Sequence, residues 1–257
     1  MFSMLKKNRF EIESQGCRLR GFILRPNVTG QRPTVIVSHG FGSCTRDTRK
    51  YAQIFVDEGY AAVCFDFCMS GSGKSSGSSL GMSVLTEKTD LLNVLDYIKS
   101  LDFVDADHIT LAGCSQGGFV SALAAVEREN EIEQLILYYP ALCIPDDARR
   151  GQMINAKFDP NHVPDKFRAL FVKLSSKYVL DVIHMDPFQE ICGFQKPVLI
   201  VHGTKDKLVN IRYSRQACEH YKHCKLVEVD GDHGFMFGGF AQSRQATSKY
   251  LRAVKES

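Results

Sequence analysis

The sequence contains no apolar run long enough to cross a membrane. A spanning helix needs about 18 or more consecutive apolar residues, and charged or polar residues interrupt every hydrophobic segment of this 257-residue chain before that length. The first residues, MFSMLKKNRFEIES, also lack a signal-peptide core, because charge returns at Arg9 and Glu11. These absences predict a cytoplasmic protein with no membrane partner, while export by another route stays open.

The sequence also has little net charge and no cysteine framework. The formal charge is +3, and lysine and arginine are scattered along the chain, so nothing favours nucleic acid or an anionic surface as a partner. The nine cysteines are odd in number and match no disulfide framework, which favours a reducing compartment. Cys64 and Cys68 are four residues apart, but no second pair with zinc-like spacing accompanies them. We therefore expect no metal site.

What the chain does contain is an alternation of strand and helix patterns, without repeats or low-complexity linkers. The strand patterns cover residues 10–13, 19–24, 34–38, 61–65, 108–112, 134–138, 197–201 and 226–229. The helix patterns cover residues 48–58, 84–101, 118–127, 213–221 and 240–255. This alternation predicts a single α/β domain over residues 1–257, with a mostly parallel sheet, helices on both faces and an N-terminal antiparallel hairpin. Residues 141–196 lack this alternation and are predicted to form an inserted cap.

A nucleophile is predicted at Ser115. The residues Gly113-Cys114-Ser115-Gln116-Gly117 fit the pattern G-x-S-x-G, with a strand pattern before them and a helix pattern after them. A serine on such a tight turn needs small neighbours, and its position at a helix N-terminus favours a developing oxyanion. A glycine-rich turn with an incidental serine is the alternative, but the strand-to-helix context favours catalysis. Cys114 is expected to face the core.

A serine hydroxyl needs a base and an orienting acid, which in this kind of fold follow it in the order Asp or Glu, then His. His233 lies directly after the last strand pattern, and Asp206 lies in the loop after the preceding one, so we predict them as base and acid. Asp230 and Asp232 compete for the role of acid because they are close to His233 in sequence. Sequence neighbours rarely face one another across a site, which favours Asp206.

The oxyanion needs two N–H donors. One is predicted to be the amide of Gln116, the residue after the nucleophile, and the other the amide of Phe41, in the loop after the strand at 34–38. Residues 71–75 (GSGKS) resemble part of a phosphate-binding loop, but that motif requires glycine where this chain has Cys68. No nucleotide cofactor is therefore expected.

Five motifs together resemble the α/β-hydrolase superfamily over almost the whole chain. They are Ser38-His39-Gly40-Phe41-Gly42, Asp66 with Gly71-Ser72-Gly73-Lys74-Ser75, Gly113-Cys114-Ser115-Gln116-Gly117-Gly118, His202-Gly203-Thr204-Lys205-Asp206, and Gly231-Asp232-His233-Gly234-Phe235. More closely, the chain resembles the intracellular cinnamoyl (feruloyl) esterases of gut bacteria. The narrower resemblance rests on the cap, in Tyr139-Pro140-Ala141, Asp146-Asp147-Ala148, Gly151 and residues 159–165.

The resemblance implies a substrate site in the cap. In that group the cap binds an aromatic ring, and an aspartate and a tyrosine reach its phenolic hydroxyls; these positions fall on Asp147 and Tyr178 here. A glutamine of the group is replaced by Ile154, with Gln152 two residues away, and Cys114 stands where the group usually has histidine.

The sequence therefore predicts a serine esterase that hydrolyses a small-molecule ester, most specifically a hydroxycinnamate ester, without cofactor or metal. A general short-chain carboxylesterase, a thioesterase or a small serine peptidase remains the alternative. A non-catalytic binding module is a remote one, because the set Ser115, Asp206 and His233 is intact. No nucleic acid or membrane partner is expected, and a homodimer is left open.

Overall fold

A mostly parallel sheet is the centre of the computed structural model, which describes residues 5–255. The strands are β1 (Leu5–Ser14), β2 (Cys17–Pro26), β3 (Arg32–Ser38), β4 (Ala61–Asp66), β5 (Val104–Cys114), β6 (Gln134–Tyr138), β7 (Gln152–Met153), β8 (Ala156–Lys157), β9 (Lys166–Ala169), β10 (Val172–Ser175), β11 (Val198–Gly203) and β12 (Cys224–Val229). The helices are α1 (Thr45–Asp57), α2 (Val84–Lys99), α3 (Gln116–Glu127), α4 (Ile144–Arg149), α5 (Lys177–Leu180), α6 (Pro187–Ile191), α7 (Arg212–His220) and α8 (Phe240–Lys255). Residues 1–4, the start of the segment predicted to lack a signal-peptide core, lie outside the described residues.

The main sheet has eight strands in the order β1-β2-β4-β3-β5-β6-β11-β12. The pairs β1–β2 and β2–β4 are antiparallel, and the other neighbouring pairs are parallel. The predicted N-terminal hairpin and the mostly parallel sheet are therefore confirmed. The parallel strands end at one edge of the sheet, where ligands bind in folds of this kind.

Helices cover both faces of the sheet, as predicted. Side chains alternate between the two faces along each strand, so Ile36 of β3 packs in the same core as Leu95 of α2 and Phe119 of α3. Its neighbour Val35 packs instead with Phe55 of α1 on the opposite face. The strand residues in the middle of the sheet are buried, which explains their nearly continuous apolar sequences.

Residues 141–196 form neither a parallel strand of the main sheet nor a long helix. The segment holds α4, the antiparallel pair β7–β8, the antiparallel pair β9–β10, α5 and α6. Of the cap aromatics, Phe188 is buried, whereas Phe171 is 61% exposed at the turn between β9 and β10. The ring of Phe171 lies against Gly42, in the loop after β3.

One cysteine pair was not indicated by the cysteine spacing. Cys218 of α7 and Cys224 at the start of β12 form a disulfide, with their Cα atoms 5.2 Å apart. No helix within residues 5–255 combines the length and apolarity that a membrane crossing requires.

Candidate active site

Ser115 occupies a strained turn between β5 and α3. Its backbone has φ 53° and ψ −121°, a conformation that residues with a side chain rarely adopt and that clusters at functional sites. A Cβ atom on Gly113 would lie 2.2 Å from the carbonyl oxygen of Gly117, and one on Gly117 would lie 2.2 Å from that of His39. Both positions therefore require glycine, for the steric reason inferred from the motif.

Ser115, His233 and Asp206 form a continuous hydrogen-bonded chain. Ser115 Oγ lies 3.1 Å from His233 Nε2, and His233 Nδ1 lies 2.7 Å from Asp206 Oδ2. Because an ionised carboxylate only accepts hydrogen bonds, Nδ1 carries the proton and Nε2 is left to accept from the Ser115 hydroxyl. The three residues predicted from chain order and loop position therefore lie together in the structure.

The environment of Asp206 keeps its carboxylate ionised. Its side chain is fully buried, and Oδ1 accepts the N–H groups of Leu208, at 2.9 Å, and Val209, at 2.8 Å. Burial by itself raises the pKa of Asp206, but the hydrogen bonds from His202, His233 and Val209 outweigh it and leave that pKa well below its usual range.

His202 is a neighbour of Asp206 that the sequence did not single out. Its Nε2 lies 3.2 Å from Asp206 Oδ2, and its Nδ1 lies 2.6 Å from the hydroxyl of Ser214. The available signal was its position four residues before Asp206, at the end of the buried strand β11.

The two competing carboxylates have other partners. Asp230 Oδ1 pairs with Lys205 Nζ at 2.6 Å, and Asp232 Oδ1 accepts the N–H of Phe237 at 3.0 Å. The geometry therefore favours Asp206 as the partner of His233.

His233 also rests on an aromatic pair. Its ring meets that of Tyr139 edge-on, with 4.7 Å between centroids, and the Tyr139 hydroxyl lies 2.8 Å from the Tyr51 hydroxyl. Lys50 Nζ donates to the carbonyl of Gly234 at 2.9 Å, which ties the histidine loop to α1. Tyr51 and Tyr139 were not among the predicted site residues: Tyr51 belongs to the helix pattern at 48–58, and Tyr139 directly follows the strand pattern at 134–138.

The two segments that carry the predicted oxyanion donors both adjoin Ser115. Gln116 is the first residue of α3, so its N–H belongs to the helix end that has no intrahelical acceptor. The loop that carries Phe41 passes against the serine: a Cβ on Gly40 would lie 3.0 Å from Ser115 Cβ.

A cleft of about 710 Å³ opens above Ser115 and His233. This volume lies within the usual range for small-molecule sites. The cleft is also lined by every other residue predicted to contact the oxyanion or the substrate, namely Phe41, Gln116, Asp147, Gln152 and Tyr178. Asp206 is absent from the lining because it lies behind His233.

The three cap residues differ in their environment. Tyr178 is buried, its ring meets Phe41 edge-on at 5.8 Å, and its hydroxyl donates to Gln116 Oε1. Asp147 is half-buried, and burial raises the pKa of its carboxyl, although Arg150 Nη1 lies 3.7 Å away. Gln152 is exposed, and its Nε2 donates to the carbonyl of Ile154 at 3.2 Å.

Glu87, a buried carboxyl on α2, was not predicted from the sequence. Its side chain accepts a hydrogen bond from Gln116 Nε2 at 2.7 Å, and the residue is only 1% exposed. Burial raises the pKa of Glu87 to about 8. The amphipathic pattern of the helix gave no signal, because a glutamate in its first turn is ordinarily a solvated residue.

Cys114 and the glycine-rich segment 71–75 have structural roles. Cys114 is buried, and burial raises the pKa of its thiol to about 12, so it is not a nucleophile near neutral pH. The segment 71–75 folds around Asp66, whose carboxylate accepts the N–H groups of Lys74, at 2.8 Å, and Thr45, at 2.7 Å.

Comparison with known proteins agrees with this geometry. Residues 29–179 match the protein family described as serine aminopeptidase, S33. The structure of Est1E from Butyrivibrio proteoclasticus with bound ferulic acid is 31% identical, covers 96% of this chain and 100% of that one, and has a TM-score of 0.90. The uncharacterized protein YqkD of Bacillus subtilis (strain 168) is 23% identical over 244 residues, which are 92% of this chain and 76% of that protein.

A partial match reaches the quorum-quenching protein AidA of Acinetobacter baumannii (strain MDR-ZJ06). The two are 27% identical over 132 residues, which make up 51% of this chain and 42% of AidA. The match therefore covers less than half the length of that relative.

Proposed function

The chain belongs to the serine aminopeptidase S33 family of α/β hydrolases, and from that premise we propose that it is a serine esterase that releases hydroxycinnamic acids from their esters. The observation that carries the proposal is the chain of hydrogen bonds from Ser115 through His233 to Asp206, at a cleft whose wall also holds Asp147 and Tyr178.

Acylation of the enzyme follows from these positions. His233 Nε2 takes the proton of Ser115 Oγ, which attacks the ester carbonyl, and Asp206 stabilises the imidazolium that forms. The N–H groups of Phe41 and Gln116 hold the negative charge of the tetrahedral intermediate. When the intermediate collapses, His233 returns the proton to the departing alcohol oxygen, and the acyl group remains on Ser115.

Deacylation repeats the same proton transfers with water. His233 takes a proton from the water, whose oxygen attacks the acyl carbonyl. When this second intermediate collapses, the bond to Ser115 Oγ breaks, His233 returns the proton to that oxygen, and the carboxylic acid is released. Each proton transfer is assigned to a residue of this chain, so the proposed mechanism needs no cofactor.

The preference for hydroxycinnamates rests on the cap. Tyr178 offers a ring and a hydroxyl, and Asp147 offers a carboxyl, on the wall of a cleft that also has apolar lining such as Ile144, Met153 and Ile154. An aromatic acyl group with a polar substituent matches such a surface. The likeness to Est1E, which has been seen with ferulic acid bound, supports the same substrate class.

A substrate panel tests the proposal. We expect hydrolysis of methyl ferulate, methyl caffeate and methyl p-coumarate to exceed that of aliphatic p-nitrophenyl esters in kcat/KM. An aminoacyl p-nitroanilide and an acyl thioester belong in the panel, because the family description names an aminopeptidase. A higher kcat/KM for either of them than for the methyl cinnamates would contradict the esterase proposal.

A further inference from the structure

A buried line of hydrogen bonds runs from Glu87 to the cleft. Glu87 Oε2 accepts from Gln116 Nε2 at 2.7 Å, and Gln116 Oε1 accepts from the hydroxyl of Tyr178. Glu87 and Gln116 are each 1% exposed and Tyr178 is 2% exposed, yet Gln116 and Tyr178 both line the cleft.

The line has a direction. A side-chain amide has one donating end and one accepting end, so the end of Gln116 that donates to Glu87 leaves the accepting end for Tyr178. Tyr178 therefore donates its one hydroxyl proton to Gln116. The lone pairs that remain on its oxygen can only accept a hydrogen bond from a ligand.

We infer that Glu87 is a positioning residue that fixes Tyr178 as a hydrogen-bond acceptor, and so selects acyl groups with a free hydroxyl over those whose hydroxyl is methylated. The inference rests on the proposed esterase function. A free phenol can donate a hydrogen bond to Tyr178. An aryl methyl ether has only an acceptor oxygen, which would face the acceptor lone pairs of Tyr178 without a hydrogen bond. Asp147, whose charge acts on Tyr178, adds a second acceptor to the same part of the cleft.

A second buried carboxyl on α2 shows what a purely structural role looks like. Asp90 accepts hydrogen bonds from Ser14, Gln15 and the N–H of Cys68, and so ties the hairpin β1–β2 to the segment after β4. Glu87 instead reaches the residue that follows Ser115. Burial raises the pKa of both carboxyls, so the two are distinguished by their hydrogen-bond partners.

The test compares two esters that differ by one methyl group, methyl p-coumarate and methyl 4-methoxycinnamate. For the wild type we expect kcat/KM to favour the free phenol by about 10-fold or more. A buried site built to accept a hydrogen bond from a substrate hydroxyl rejects the analogue that lacks that hydroxyl. Glu87→Leu should lose most of that ratio, whereas Glu87→Gln, which keeps an acceptor for Gln116, should retain it within about 3-fold. Asp90→Asn is the matched control on the same helix; it should lower Tm and leave the ratio unchanged.

Tyr178→Phe provides a test that does not depend on the folding of the Glu87 variants. It should abolish the preference, and adding Glu87→Leu to it should lower the ratio no further, since both act through one hydroxyl. The inference is overturned if Tyr178→Phe or a folded Glu87→Leu keeps the wild-type ratio, or if the wild type shows no preference. If the wild type turned over none of the esters, p-nitrophenyl acetate included, the proposed function itself would be refuted.

Discussion

Asp206 and Glu87 each lie one side chain away from the Ser115 turn, and the side chains of both are buried. Their surroundings nevertheless shift their pKa values in opposite directions. Asp206 receives hydrogen bonds from His202, His233 and two backbone amides, and its pKa is lowered. Glu87 receives one from Gln116, and burial raises its pKa to about 8. At Asp206 the hydrogen bonds outweigh the effect of burial on the pKa, whereas at Glu87 the single hydrogen bond does not. The charged one can stabilise an imidazolium, and the other is suited to orienting an amide.

The largest expected effect is at the charged carboxyl. Asp206→Asn should lower kcat by about 10⁴-fold, because an amide favours the wrong tautomer of His233. Asp230→Asn and Asp232→Asn are the controls, since their carboxylates have other partners. Steady-state kinetics on one methyl ester would measure all three. If either control lost more activity than Asp206→Asn, the comparison would collapse.

The second prediction concerns stability at the other carboxyl. Because the folded-state pKa of Glu87 is raised from 4.5 to about 8, the folded protein binds more protons than the unfolded chain between those values, and wild-type stability falls as pH rises through them. Glu87→Gln has no carboxyl to titrate, so it removes this contribution to the pH dependence of stability. Its unfolding free energy relative to wild type should rise by on the order of 3 kcal/mol between pH 5 and pH 8 and then level off.

Asp206→Asn supplies the opposite sign for that measurement. The lowered pKa of Asp206 stabilises the fold above the unfolded-state value, and this contribution is lost as pH falls toward the folded-state value. The variant should therefore be less stable than wild type at pH 7, with a difference that shrinks below about pH 4. Denaturant melts at several pH values measure both variants. Parallel pH profiles for the two would contradict the contrast.

The smallest effect is expected at the cap. If Asp147 meets a phenolic hydroxyl, methyl caffeate should be hydrolysed faster than methyl cinnamate, which leaves the carboxyl unpaired at a cost of roughly 1–3 kcal/mol. Asp147→Ala should erase most of that margin in kcat/KM. Asp146→Ala, whose carboxylate pairs with Arg149 and accepts from Tyr213, should preserve it. Equal rates for the two esters, unaltered in Asp147→Ala, would leave only a general carboxylesterase.

These contrasts also explain how far sequence reasoning reached. The sheet could be predicted because its buried strands are short apolar runs, and the Ser115 turn because Gly113 and Gly117 permit nothing larger. Asp206 and His233 followed from their places after β11 and β12. Each of these signals is local in sequence.

The features that were missed depend on contacts between distant segments. Glu87 and Gln116 are 29 residues apart, and Tyr178 is another 62 residues along the chain. No periodic pattern links them. The short strands of the cap, such as β7 with two residues, are too brief to leave an alternating pattern.

Labelling of Ser115 tests the central claim most directly. A fluorophosphonate probe followed by peptide mass spectrometry should modify Ser115 in the wild type, and Ser115→Ala should lose both the label and about 10³-fold or more in kcat, with similar substrate affinity. A label on any other residue, or an alanine variant with near-native turnover, would contradict the account.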